Sequence, residues 1–298
     1  MNLLITGAWS GGKENSEKLT QLGHCVKFLQ QEKDELPCAY EWVEGVICNG
    51  LFLSHPIERF INLRYIQLTS AGFDRVPMDY VQEHGIEIHN ARGVYSIPMA
   101  EFALCGVLQL LKKSRTFAEN QKLHRWEKQR DLIELNGKTV CIVGCGSVGT
   151  ECAKRFRAFG CKVIGVDLFT RDDENYFKIY SLDALDDILS ESDIVVLTLP
   201  LTEETKHLMN KSRLAAMKQG SVLVNIARGA IVDTDALICS LNKTLFGAVL
   251  DVFEEEPLHE GSPLWKMENV ILTPHNSFAG CGSKIRLFGA ILDNLGKS

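Results

Sequence analysis

Short apolar runs alternate along the chain with stretches whose apolar residues recur at helical spacing. Residues 3–5 read as a strand, residues 14–22 as a helix stopped by Gly23, and Cys25–Leu29 as a second strand. Gly45–Cys48, Tyr65–Leu68 and residues 86–89, the last after a turn at His84-Gly85, continue the series. Strands alternating with helices predict an α/β protein with a parallel sheet. The pattern changes between Arg92 and Pro98, where Gly93 and Pro98 precede a long helix expected over residues 99–122, with Phe102, Leu104, Leu108 and Leu111 apolar. Residues 126–135 form a polar connector, and a second series follows.

The strands of the second series are expected at Thr139–Val143, Lys162–Val166, 193–198, 221–226, 246–250 and Val270–Leu272. Helices over 182–189 and 211–217 lie among them, the latter with Asn210 as its N-cap. A last helix over 283–298 is expected to return to the first domain. The domains are therefore expected at residues 1–92 plus 277–298, and at residues 93–276. A length of 298 residues agrees with two domains.

Composition narrows the function. Apolar residues at 45% and charged residues at 23% are those of a folded protein, which excludes disorder and collagen-like structure. A net charge of −6 with no basic cluster argues against a nucleic-acid partner. Residues 100–111 are the most apolar helical stretch, but Glu101, Gly106 and Gln109 interrupt it, so no membrane span is expected. The start, Met1-Asn2-Leu3-Leu4-Ile5, lacks the basic region of a secretory signal. Ten scattered cysteines without a CxxC pair predict reduced thiols, buried at Cys48, Cys105, Cys141 and Cys239, in a cytoplasmic protein with no metal site.

The first chemical signal is the run from Thr139 through Val143-Gly144-Cys145-Gly146-Ser147-Val148-Gly149, a strand entering Gly-x-Gly-x-x-Gly. The helix that follows carries Ala153, Phe156 and Phe159 and stops at Gly160. The next strand ends at Asp167, so the whole βαβ unit has the spacing that dinucleotide binding requires. Gly144 permits the tight turn, Gly146 lets a pyrophosphate approach the backbone, and Gly149 lets helix and strand pack closely. The helix start presents amide hydrogens and a positive dipole end to the phosphates. Asp167 can accept hydrogen bonds from both ribose hydroxyls and would repel a 2′-phosphate, which favours NAD over NADP. Arg171, four residues on, argues the other way and leaves an NADPH-preferring enzyme open.

Three polar residues stand after later strands: Arg228, Glu256 and His275. In an open parallel sheet the carboxyl ends of the strands line one crevice. Together the three suit hydride transfer to or from a 2-hydroxy acid. A histidine takes the hydroxyl proton and returns it in the reverse direction. A carboxylate holds the imidazole by its other nitrogen and favours its protonated form. A guanidinium binds the substrate carboxylate and polarises the carbonyl.

At these residues the sequence resembles the D-isomer-specific 2-hydroxyacid dehydrogenases over nearly its whole length. The matching blocks are Val143 through Gly149, Leu197-Thr198-Leu199-Pro200-Leu201-Thr202, Asn225-Ile226-Ala227-Arg228-Gly229, Leu250-Asp251-Val252-Phe253 with Glu256-Pro257, and Thr273-Pro274-His275. The resemblance implies two Rossmann-like/flavodoxin-like doubly wound parallel-sheet domains with a cleft between them. It implies Arg228, Glu256 and His275 as the catalytic set, with His275 as general acid/base. Gly144, Gly146, Ser147, Val148, Gly149, Asp167, Thr198, Leu199, Pro200, Ile226, Ala227, Arg228, Asp251 and His275 would line the NAD site, Asp251 taking the nicotinamide carboxamide. Ser70, Ala71 and Gly72, with Arg228 and His275, would bind a small 2-hydroxy or 2-keto acid. The helix from Met99 resembles the family's dimer arm and implies a homodimer. The chain departs from the family at Phe102, where relatives often carry histidine, and after His275, where it reads Asn276-Ser277-Phe278. The same fold also serves catalytically silent NAD(H)-sensing proteins, against which the intact Arg228, Glu256 and His275 argue.

Overall fold

A computed structural model describes residues 1–296. The chain divides into two compact units, Met1–Tyr95 with the segment from Gly280 on, and Ser96–Ala279.

The first unit contains β1 (Asn2–Thr6), α1 (Gly12–Gln21), β2 (Cys25–Leu29), β3 (Gly45–Cys48), β4 (Tyr65–Leu68), α2 (Met78–Glu83) and β5 (Glu87–His89). Its strands pair in parallel in the order β2-β1-β3-β4-β5. Successive side chains of a strand point to opposite faces, and here both faces are covered. Leu4, Val46, Cys48, Ile66 and Leu68 pack with Leu51, Phe60 and Val81, while Leu3, Ile5, Ile47 and Tyr65 pack with Trp9 and Leu19. That two-sided burial is why these strands read as unbroken apolar runs rather than as alternating ones.

The second unit begins with α3 (Ser96–Leu111) and α4 (Ser114–Lys122). It continues through β6 (Thr139–Val143), α5 (Ser147–Ala158), β7 (Lys162–Val166), β8 (Lys178–Tyr180), α6 (Leu185–Glu191) and β9 (Ile194–Leu197). Then come α7 (Lys211–Ala216), β10 (Val222–Asn225), α8 (Thr234–Leu241), β11 (Gly247–Leu250) and β12 (Val270–Leu272). All seven strands are parallel, in the order β12-β11-β10-β9-β6-β7-β8. One core joins Val140, Ile142, Val196, Val224 and Val249 to Ala103, Val107 and Phe156 of α3 and α5. The other joins Cys141, Val143, Val195, Leu197 and Leu223 to Leu189, Leu214 and Leu237 of α6, α7 and α8. The final helix, α9 (Ser283–Leu295), packs Leu287, Ile291 and Leu295 against Leu3 and Ile47 of the first unit. Arg286 Nε donates to the Val94 carbonyl at 2.7 Å and Asn294 Nδ2 to Gln67 Oε1 at 2.9 Å. The last two residues of the helix expected over 283–298 lie outside the described residues.

Several expectations need correction. The long helix over 99–122 is two helices: Lys113 sits in the left-handed region at φ 51°, which ends the hydrogen-bond ladder of α3. Lys112 Nζ caps the Ile133 carbonyl at 2.8 Å and Lys113 pairs with Asp131, so the connector is fastened at this break. The helix expected over 182–189 is a 3₁₀ turn, Leu182–Ala184, followed by α6. β8, with three residues, and α2, with six, fall outside the expected elements and are too brief to leave a periodic signal. Asn210 does cap α7, its Oδ1 accepting from Arg213 N at 3.1 Å. Cys48 and Cys141 are buried, but Cys105 and Cys239 lie on outer faces of α3 and α8 and are exposed; all ten thiols are free. Among the described residues no helix is long and apolar enough to cross a membrane.

Candidate active site

Because all strands of the seven-stranded sheet are parallel, their carboxyl ends share one edge. Along it stand the loops carrying His275 (after β12), Asp251 and Glu256 (after β11), Arg228 (after β10), Thr198 to Pro200 (after β9), the glycine loop (after β6) and Asp167 (after β7). The chain runs outward in opposite directions from β6 and β9, so the glycine loop lies at the point where strand order reverses. Ligands of open α/β sheets bind there.

The glycine loop has the shape that a dinucleotide needs. Gly144 adopts φ +95°, and a Cβ there would stand 2.7 Å from the Leu199 amide nitrogen, so only glycine allows the loop after β9 to pass. A Cβ on Gly149 would meet the Gly144 carbonyl oxygen at 2.1 Å, which shows how closely α5 is drawn against the turn. Thr198 fastens the same turn, its Oγ1 donating to the Gly144 carbonyl at 2.6 Å. In front of Gly146, by contrast, nothing lies within 4 Å of a Cβ position, so the backbone is open to an approaching group. No described side chain caps α5, leaving the amides of Ser147, Val148 and Gly149 directed outward. Asp167 is half-buried and its Oδ2 accepts from Cys145 N at 2.6 Å, its Oδ1 from Phe169 N at 3.1 Å. Arg171 donates to the carbonyl of Cys145, the residue whose amide that carboxylate accepts from, and pairs with Asp173 at 3.7 Å. Burial pushes the Cys145 thiol up to about 12, so it is a neutral packing group within the loop. Ile226 and Ala227 are buried with their side chains in the two cores. An amide or carbonyl is all they can offer a ligand. Pro200 is exposed at the rim.

Further along the edge, His275 and Glu256 meet. His275 Nδ1 lies 2.9 Å from Glu256 Oε2, and Glu256 Oε1 accepts from Phe253 N at 3.1 Å. With a carboxylate accepting at Nδ1, the neutral imidazole carries its proton there and its lone pair on Nε2. Nε2 makes no hydrogen bond among the described residues, and 44% of the side chain is accessible. Arg228 leaves the end of β10 half-buried, one guanidinium nitrogen donating to the Ala227 carbonyl at 2.8 Å. Its neighbour Gly229 is pressed so tightly on Phe253 that a Cβ would overlap that residue's carbonyl. The Arg228 turn and the Glu256 loop are thus packed in contact. Asp251 is fully buried, and the loop bearing His275 takes up its carboxylate.

In the first unit, the carbonyls of the loop after β4 are engaged by neighbours in the same unit. Ser70 O accepts from Ala91 N at 2.9 Å, Ala71 O from Asn90 Nδ2 at 2.6 Å, and Gly72 O from Ser70 Oγ at 3.2 Å.

Two braces escape a reading of the sequence. Asn225, 1% exposed, spans the Arg228 turn, donating to the Arg228 carbonyl at 3.0 Å and accepting from Ala227 N at 3.1 Å. Its place at the end of an apolar strand is a usable signal, because a buried amide must find partners. The second brace is His207 with Glu254, 2.5 Å apart, Glu254 also accepting from Thr234 N at 3.0 Å. Burial pushes the Glu254 carboxyl up, but hydrogen bonds from Thr234 and His207 outweigh it and hold it below the usual range. No local pattern links these two residues, which are 47 positions apart.

Comparison with known proteins decides the family. The family model described as D-isomer specific 2-hydroxyacid dehydrogenase, NAD binding domain, matches residues 104–277. The chain belongs to the D-isomer specific 2-hydroxyacid dehydrogenase family. The dehydrogenase is 37% identical over 244 residues to a glyoxylate reductase of Thermofilum pendens, covering 78% of this chain and 71% of the relative. It superposes on the D-lactate dehydrogenase of Aquifex aeolicus in complex with NAD and lactic acid, with TM-score 0.81 and 27% identity over 99% and 94% of the two chains. A D-isomer specific 2-hydroxyacid dehydrogenase of Xanthobacter autotrophicus Py2, in complex with NADPH and MES, also gives TM-score 0.81, at 30% identity and the same coverage. The dehydrogenase is therefore a nicotinamide-dependent oxidoreductase of 2-hydroxy or 2-keto acids, and the open backbone at Gly146 fits the cofactor.

Proposed function

We propose that this dehydrogenase reduces a short 2-keto acid to its D-2-hydroxy acid, or glyoxylate to the achiral glycolate, and prefers NADH to NADPH. The observation that carries the reading is the 2.9 Å pair of His275 and Glu256 with Nε2 left for a substrate oxygen. The bound cofactor supplies the hydride that reaches the carbonyl carbon. His275 gives its Nε2 proton to the carbonyl oxygen and, in the oxidative direction, takes it back from the hydroxyl. Glu256 keeps the ring in the required tautomer and stabilises the imidazolium. Arg228 binds the substrate carboxylate and draws electron density from the carbonyl. Ser70, Ala71 and Gly72 are assigned the carboxylate as well, a role supported by carbonyls that are already engaged within the unit. Gly144 through Gly149 hold the pyrophosphate, and Thr198, Leu199, Pro200, Ile226 and Ala227 border the cofactor. The homodimer and the cytoplasmic location belong to the same proposal. The first is supported by the likeness of the helix from Met99 to the family's dimer arm, the second by ten unbridged cysteines.

The substrate test is NADH and NADPH oxidation with glyoxylate, hydroxypyruvate, pyruvate and longer 2-keto acids. Turnover with NADH and the shortest acids is expected. Absence of turnover with every acid and both cofactors would turn the reading toward NAD(H) sensing. Arg171, held on the Cys145 carbonyl of the glycine loop, is the specific feature favouring NADPH. Asp167→Ala is expected to raise the NADPH-to-NADH ratio of kcat/KM about tenfold, the effect of removing ~1.4 kcal/mol of repulsion. A native enzyme that already turns over NADPH faster would overturn the cofactor preference.

A further inference from the structure

We propose that Asp251 is a positioning residue whose buried carboxylate fixes the turn carrying His275, so that acid–base geometry depends on a group that need not touch substrate. The proposal rests on the assignment of His275 as the acid/base. Asp251 has no exposed surface. Its Oδ1 accepts from Thr273 Oγ1 at 2.7 Å and from Asn276 N at 2.8 Å, and its Oδ2 from Ser277 N at 2.9 Å. Its backbone carbonyl accepts from His275 N at 2.7 Å, and its own amide donates to the Asn225 carbonyl at 3.0 Å. One residue therefore grips the chain before, at and after His275, and ties it to the end of β10, three residues before Arg228.

The turn needs such a grip. His275 sits at φ 50°, the left-handed region that a residue with a Cβ avoids. Among the described residues the carboxylate's donors, Thr273, Asn276 and Ser277, all come from this turn, and a carboxylate offers only acceptors. An amide at position 251 would keep an acceptor for Thr273 and Asn276 but set its NH₂ against the Ser277 N–H. Alanine would take the partner from the Asn276 and Ser277 amides, the latter buried, and leave Thr273 Oγ1 only the Leu250 carbonyl at 3.5 Å. A turn so released lets the imidazole swing from the line set by Glu256, and a displacement of about 1 Å costs on the order of 10²-fold in rate.

Asp251→Ala and Asp251→Asn are compared with the native full chain and with His275→Ala. Three quantities are measured: amide hydrogen exchange of the cofactor-free protein, NADH affinity by direct titration, and kcat. In Asp251→Ala, exchange at Asn276 and Ser277 is expected to quicken at least about tenfold while β6 to β11 stay protected. A fall in kcat of about 10²-fold should accompany it, with NADH affinity within about threefold of native. Asp251→Asn should lie between the two in both exchange and kcat, and it carries the test if the alanine variant fails to fold. Unchanged kcat, or unchanged exchange at Asn276 and Ser277, in a folded variant overturns the proposal. A kcat loss with native exchange and an equal loss of NADH affinity also overturns it, and assigns Asp251 to the cofactor's carboxamide instead. Full activity of His275→Ala would sink the underlying assignment itself, and the positioning role with it.

Discussion

His275→Ala is expected to lower kcat by about 10²–10⁴-fold, the usual contribution of a general acid–base group, while NADH still binds. The separation follows from the layout of the sheet edge. The glycine loop and Asp167 follow β6 and β7, whereas His275 follows β12 on the far side of β9, β10 and β11. Removing the imidazole leaves the Gly144 turn, the Thr198 hydrogen bond and the free amides of α5 untouched. The carbonyl must then find its proton from water, and Glu256 loses the partner it orients. Steady-state kinetics with NADH and a saturating keto acid, beside direct NADH titration, check both halves. A variant that keeps more than about a tenth of native kcat would remove His275 from the scheme.

The second large effect is expected at Arg228. Arg228→Ala should reduce kcat/KM for the keto acid about 10²-fold or more, with little change in NADH affinity. Two charge-assisted hydrogen bonds to a carboxylate contribute roughly 3 kcal/mol together, which sets that scale. Lysine should restore little, because a single ammonium cannot reproduce the planar fork. The backbone that carries the guanidinium is held firmly, since Asn225 braces its turn from within and Gly229 locks that turn against Phe253. Normal kinetics in the alanine variant would exclude Arg228 from substrate binding.

Much of this arrangement is legible in the sequence because it is written in local chemistry. Parallel strands buried on both faces leave continuous apolar runs, so β3, β4, β6, β7 and β12 fall where those runs predict. The glycines at 144 and 149 are dictated by a positive φ and by a contact of 2.1 Å, constraints that only glycine meets. Helix interruption is harder to see. The apolar spacing from Phe102 to Leu111 suggests a helix running on to residue 122, yet Lys113 turns left-handed where the connector's Asp131 and Ile133 carbonyl capture the two lysines. That capture depends on contacts some twenty residues away in sequence. The supports of the site are harder still. Glu254 and Glu256 sit two positions apart in one acidic run, but one is held by His207 and the other holds His275. Asp251 reads from its neighbours as a strand-end acid, and only the folded turn shows three donors closing on it. Exposure of Cys105 and Cys239 is hidden for a related reason, since an apolar helix segment does not reveal which of its faces is covered.

The most direct measurement is a crystal structure of the protein with NADH and oxamate, a carboxamide mimic of the keto acid that cannot be reduced. His275 Nε2 should lie about 2.6–3.2 Å from the oxamate carbonyl oxygen, within hydrogen-bond reach, with the Arg228 guanidinium on the same ligand and Glu256 still on Nδ1. An imidazole turned away from the ligand, with water or another side chain at that oxygen, would contradict the account.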